Sequence, residues 1–196
     1  MTKEDIVNYI KENTEKEIYY EYLLGQKVWY FQNNGEDFSS DYDLFKRFIS
    51  KELSVPFNSI SIIGSAKTRY SFSPDKNFSE FNEDSDFDLI IVSNKIYNSI
   101  WEAYKSISYN QYLHNYTAIA SNIFNGFVSL KDEDRNYGNK ILLDWQKTIL
   151  KFKAELQLTF NIQHEINYRI YTDWQAVEDY HLKGISKLKS ILNETN

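Results

Sequence analysis

The sequence predicts a mixed α/β fold, a small β-sheet flanked by helices, and three observations carry the prediction. Ile60, Ile62 and Ile63 form a short apolar run closed by Gly64-Ser65, and Leu89-Ile90-Ile91-Val92 forms a second. Short apolar runs bounded by turn residues mark buried strands. Ile166 to Tyr171 (INYRIY) is rich in β-formers and alternates, which predicts a third strand. Around these runs, apolar residues recur at the three- and four-residue spacing of helices.

The elements follow in order. Thr2 is placed to cap a helix over residues 3–24, with Asp5 as its acidic partner and Ile6, Tyr9 and Ile10 on one face. Gly25 ends or interrupts it. Lys27 to Gln32 (KVWYFQ) fits a helix or a strand, and Asn33 to Asp37 reads as a turn. A helix then starts at Asp41 or Asp43 and runs to Leu53, with Leu44, Phe45, Phe48 and Ile49 inward, until Val55-Pro56 breaks it. After the second strand, Asn94 caps a helix from Lys95 to about Ser108. Residues 109–138 are ambiguous: Ile123 to Val128 reads as a short strand or a helix end, and Lys131 to Gly138 as a polar loop. Leu142, Trp145, Ile149, Phe152 and Leu156 keep helical spacing, which predicts a long helix from about Asn139 to Leu158. Thr172 or Asp173 caps a last helix through about Leu192. With no repeat and no Pro-, Gly- or Ser-rich linker, one domain over 1–196 is expected. Its core spans about 41–171, and its C-terminal helix about 173–192.

Composition narrows the function classes. The 196 residues carry a net charge of −6, which argues against an extensive nucleic-acid surface. No cysteine is present, so disulfides and thiolate metal sites are excluded. No apolar stretch approaches the ~20 residues that span a bilayer, and the expected setting is cytoplasmic, without a membrane partner. The 16 tyrosines and 13 phenylalanines read first as an aromatic core with half-buried tyrosines. No Ser-His-Asp or clustered-histidine spacing appears, and His114, His164 and His181 receive no role.

Chemistry concentrates between Ser59 and Ser93. On a strand, Asp86 and Asp88 share a face, about 6.5–7 Å apart along the chain. Like charges so placed repel, and a divalent cation between them relieves the repulsion; Mg²⁺ prefers such hard oxygen ligands. Gly64 lets the backbone approach phosphate oxygens and take unusual dihedrals. Ser65 stands where a helix begins, so its hydroxyl is a phosphate ligand, an N-cap, or both. Lys67 and Arg69 follow closely enough to neutralise phosphate charge. Each feature has a plainer counterpart: Glu83 to Asp88 as a solvated loop, Gly64 as an ordinary turn, Lys67 and Arg69 as surface charges, Tyr70 and Phe72 as core.

Together, Gly64-Ser65 and Asp86-x-Asp88 resemble the signature of the DNA polymerase beta-like nucleotidyltransferase superfamily. The resemblance implies a nucleotidyltransferase-like mixed sheet with helical additions at both ends. It implies that Gly64 and Ser65 hold the β- and γ-phosphates of an NTP, ATP being expected, and that Asp86 and Asp88 bind Mg²⁺ and serve catalysis. The reaction would transfer a nucleoside monophosphate to a hydroxyl of a protein, an RNA or a small molecule. Small prokaryotic members include antitoxins and defence-linked enzymes. The family also places a third carboxylate on a later strand, in an apolar-Asp-apolar-Arg-apolar pattern. Ile166-Asn167-Tyr168-Arg169-Ile170 resembles it, with Asn167 where Asp would stand. Asn167 is then a neutral metal ligand, and Glu165, two residues earlier, is expected on the same face as the third catalytic acid. Two alternatives remain: a non-catalytic binding or antitoxin module of the same fold, favoured by Asn167, and a helical interaction protein with DSDFD in a surface loop.

Overall fold

The computed structural model of the chain describes residues 2–34, 38–76 and 78–194. Both apolar runs form strands, β1 (Ile60–Ile63) and β2 (Phe87–Val92). A two-residue β3 (Phe127–Val128) precedes the alternating run, β4 (Ile166–Tyr171). They make one mixed sheet in the order β1-β2-β4-β3. β2 pairs antiparallel with β1 and parallel with β4, and β3 closes the far edge antiparallel to β4. The parallel pair requires a long crossover. It is supplied by α6 (Asn94–Asn110), α7 (Tyr116–Phe124) and α8 (Lys140–Phe160).

Before the sheet, the chain runs through α1 (Lys3–Glu12), α2 (Glu15–Ile18), a π-helical turn (Tyr19–Leu24), α3 (Trp29–Asn34) and α4 (Phe38–Leu53). A four-residue α5 (Ser65–Thr68) follows β1, and α9 (Trp174–Glu194) closes the chain. The mixed α/β class is as the sequence predicts.

Strand alternation divides the core between the two sheet faces. Ile60, Ile62, Phe87, Leu89, Ile91 and Ile170 point into one cluster, packed by α3, α4, α6 and α8. Ile63, Ile90, Phe127 and Tyr171 point into the other, packed by α1, α2, the π-turn and α9.

Several elements differ from the sequence expectation. The first helix is two. Thr2 and Asp5 form the expected capping box, but Thr14 and Glu17 form another. Thr14 is extended (ψ 158°), so the chain breaks after Glu12 and restarts at Glu15. Lys27 to Gln32 resolves toward helix, through α3. Asn33 and Asn34 belong to that helix, and the rest of the expected turn, 35–37, lies outside the described residues. α4 begins at Phe38, and Leu44 is 53% exposed rather than inward, while Phe45 and Ile49 are sealed. Ser93 rather than Asn94 caps α6: its hydroxyl accepts from the Ile96 N–H. Residues 123–128 are both things the sequence allowed, the end of α7 and then β3. α8 is as expected, and the Asp173 carboxylate accepts from the Ala176 N–H at the start of α9. No helix among the described residues is long and apolar enough to cross a membrane.

Candidate active site

The site is built where three strand ends meet. β1 ends at Ile63, whose partner across the sheet is Asp88. Gly64 then turns with φ +74° and ψ −161°. A β-carbon here would stand 2.9 Å from Asp88 Oδ2, so only glycine lets the turn pass this close to the carboxylate. Ser65 opens α5 directly after it. On the other side of β2, Asp88 is in register with Asn167 of β4. Neighbouring strands lie about 4.8 Å apart, which seats the Asn167 amide beside the Asp88 carboxylate on the same face. Asp86 immediately precedes β2.

Gly64, Ser65, Asp86, Asp88 and Asn167 all line one cavity of about 670 Å³. Concave sites for small ligands fall in the range of roughly 300–1,000 Å³. The remaining wall comes from far along the chain: Ser71 to Lys76, Asn125, Ser129, Lys131 and the Tyr180 to Lys187 stretch of α9.

The electrostatics oppose the chain's own sign. Five cations line the cavity (Lys76, Lys131, Arg169, Lys183 and Lys187) against three carboxylates, Asp75, Asp86 and Asp88, although the whole chain carries −6. Lys76 Nζ lies 3.8 Å from Asp86 Oδ2. Burial pushes the Asp88 carboxyl above its usual range; Arg169 works against that rise and Asp86 adds to it. For Arg169, burial opposes the charge, but the hydroxyls of Tyr171 and Tyr180 and the Asp88 carboxylate outweigh it and hold the pKa above its ordinary value. The half-buried His181 ring has its Nε2 sealed from solvent without a hydrogen-bond partner. Burial, reinforced by Arg169, pushes its pKa down to about 3, so the imidazole is neutral at pH 7.

Three residues expected at the site stand elsewhere. Lys67 is 4% exposed and lines no part of the cavity. The short α5 turns it into the protein, where burial and nearby Lys46 push its pKa down to about 7. Arg69 closes α5 in the left-handed conformation and pairs with Glu80 at 2.7 Å. Glu165 is exposed and outside the cavity wall. Glu165 stands one residue before β4, where its carbonyl accepts from the Phe87 N–H while its side chain is exposed. Tyr70 and Phe72 are core, as their plainer reading holds, with Phe72 also reaching the cavity. His164 is structural: its Nδ1 lies 2.9 Å from the Ser85 carbonyl, and its ring packs on Phe81.

Tyr180, His181 and the cavity lysines are given no site role by the sequence, and Arg169 enters only as part of the pattern that Ile166 to Ile170 resembles. Arg169 carried a signal, since it alternates with Asn167 and must share its face. The lysines carried none, because their segments meet only through the fold.

The donor set fits one hard cation. Asp86 and Asp88 offer carboxylate oxygens and Asn167 a neutral amide oxygen, the chemistry Mg²⁺ prefers. Among the described residues, no three His, Cys, Asp or Glu side chains are grouped to hold a metal ion. Any metal here would rest on the acid pair plus a neutral ligand. Comparison of the chain with protein-family models, with curated proteins and with solved structures gives no match.

Proposed function

We propose that the chain is a Mg²⁺-dependent nucleotidyltransferase that transfers a nucleoside monophosphate from an NTP to an acceptor hydroxyl. One observation carries the reading. A glycine-only turn, an acid pair and an excess of cations line a single cavity of ligand size in an otherwise acidic chain. Polyphosphate chemistry needs these parts together: a close backbone approach, carboxylates for a metal, and fixed positive charge. ATP is the proposed donor.

Asp86, Asp88 and Asn167 would hold the Mg²⁺, which when bound neutralises charge on the phosphates. Gly64 and Ser65 seat the phosphate tail against the end of β1, and Lys76 supplies positive charge beside them in place of Lys67 and Arg69. The acceptor oxygen attacks the α-phosphorus. A new P–O bond forms, the bond to the β-phosphate oxygen breaks, and pyrophosphate leaves. The acceptor proton passes to a carboxylate of the acid pair.

Calorimetry of MgATP binding, followed by mass spectrometry of candidate proteins and RNA incubated with labelled ATP, tests the reading. Saturable Mg²⁺-dependent binding and an added AMP are expected; absence of MgATP binding rejects it. The second reading, a binding module without turnover, draws on Asn167, which withholds a third charge from the metal. MgATP binding with neither AMP transfer nor pyrophosphate release would select it.

A further inference from the structure

The cavity has two sides about the acid pair. On the β1 side stand Gly64, Ser65 and Lys76. On the β3 side stand Arg169, on β4 itself, and beyond it Asn125, Ser129 and Lys131. With strands about 4.8 Å apart, β4 lies two spacings, about 10 Å, from β1. Lys183 of α9 leans over the β3 side, its Nζ 3.5 Å from Asn125 Oδ1.

Arg169 is the unusual member. Its guanidinium lies 5.4 Å from the ring centroids of both Phe127 and Tyr180, and the residue is half-buried. Among the described residues it forms no ion pair: Asp88 feels its charge without pairing with it. It faces the sealed Tyr171 hydroxyl, which helps to hold its pKa up and finds no other hydrogen-bond partner. The sealed Nε2 of His181, which lines the same cavity, is a second buried polar atom without one. A half-buried guanidinium with no carboxylate paired to its fork is costly, and an oxyanion seated there lowers the cost.

We infer that the β3 side of the cavity is an anion subsite for a phosphate group, with Arg169 as its fork and Lys131 and Lys183 at its rim. The phosphate belongs to the hydroxyl acceptor, because the nucleotide's own phosphates lie two strands away at Gly64. This assignment of the phosphate to the acceptor rests on the nucleotidyltransferase reading; the subsite itself does not. Phosphate is placed by Arg169, and a hydroxyl on the same molecule then reaches toward Asp88.

Glycerol 3-phosphate is titrated by calorimetry into the full chain, alone and with Mg²⁺ and a non-hydrolysable ATP analogue. Binding is expected in both conditions. Arg169→Gln should weaken it about tenfold or more, and Lys131→Gln or Lys183→Gln by less, in line with the loss of charge-assisted hydrogen bonds. Arg169→Lys, which keeps the charge and loses the fork, guards against misfolding and should fall between wild type and Arg169→Gln. Displacement of the phosphoester by the ATP analogue overturns the acceptor assignment and returns the subsite to the nucleotide. No binding, or equal binding by all variants, overturns the subsite and leaves Arg169 as a counter-charge to Asp88. Failure of the ATP analogue alone to bind, with phosphoester binding still dependent on Arg169, rejects nucleotidyl transfer and retains the subsite.

Discussion

The two faces of the sheet come from the same strands and have opposite fates. On the α4–α8 face, Ile60, Ile62, Phe87, Leu89, Ile91 and Ile166 are at most 1% exposed. The α9 face is filled only in part, by Ile63, Ile90, Phe127 and Tyr171. Its other positions carry Asp88, Asn167 and Arg169, and there the cavity opens. The difference lies in three polar side chains on the two central strands, which keep this face from closing on apolar contacts alone. Apolar side chains would have drawn α9 down; charged ones need water or a ligand between them.

Breaking the packed face should give the largest effect. Phe87 sits between Asp86 and Asp88 but points to the other face, with ring centroids 5.1 Å from Tyr30 and 5.7 Å from Phe45. Phe87→Ala should cost about 3–5 kcal/mol of unfolding free energy in denaturant titration. The folded fraction should still bind MgATP. A cost below about 1 kcal/mol would show that this face is not the main core.

Gly64→Val attacks the open face at its tightest point. A branched side chain meets both a left-handed φ and the Asp88 carboxylate. A loss of about 1–3 kcal/mol is expected from strain, together with loss of MgATP binding by calorimetry. Ser65→Ala should do less to both. Wild-type affinity in Gly64→Val would place the phosphates elsewhere.

His181 tests the dryness of the wall beside the cavity. Its folded pKa, about 3, lies below the ordinary 6.5. The neutral ring therefore contributes stability that is fully present above pH 6.5 and is lost as pH falls toward 3, because the unfolded chain takes up the proton first. The slope is at most about 1.4 kcal/mol per pH unit. Thermal melts of wild type and His181→Gln between pH 7 and 5 should diverge accordingly, with the variant the less acid-sensitive. Parallel curves would mean that the imidazole is solvated.

The smallest effects separate Asn167 from Glu165. Asn167→Asp adds an anionic oxygen beside Asp88, so Mg²⁺ affinity should rise by about tenfold, the equivalent of ~1.4 kcal/mol. Glu165→Gln, outside the cavity, should titrate as wild type. A loss of Mg²⁺ binding in Glu165→Gln would return Glu165 to the site.

The legible part of this molecule is the part written locally. Gly64, Ser65, Asp86 and Asp88 were readable because a turn and a strand mouth are short-range features with fixed geometry. Asn167 is readable by strand alternation, whereas one residue outside a strand alternation no longer decides: Asp86, just before β2, lines the cavity and Glu165, just before β4, does not. Lys67 and Arg69 were misplaced for a different reason. Proximity in sequence to Gly64 says nothing of direction, and one short helix turned Lys67 into the core while Glu80, distant in sequence, captured Arg69.

By itself, then, the sequence determined the α/β class, the strands with their inward faces, and the turn and acid pair at their mouths. Each depends on periodicity or on steric limits acting over a few residues. Only the tertiary structure decided that Lys76, Lys131, Lys183 and Lys187 converge with Arg169 on one cavity, that Glu165 stays outside it, and that His181 is held neutral. Those outcomes depend on strand order and on how α9 crosses the sheet. Contacts between residues a hundred positions apart are chosen by the packing of the whole core, and no local pattern records them.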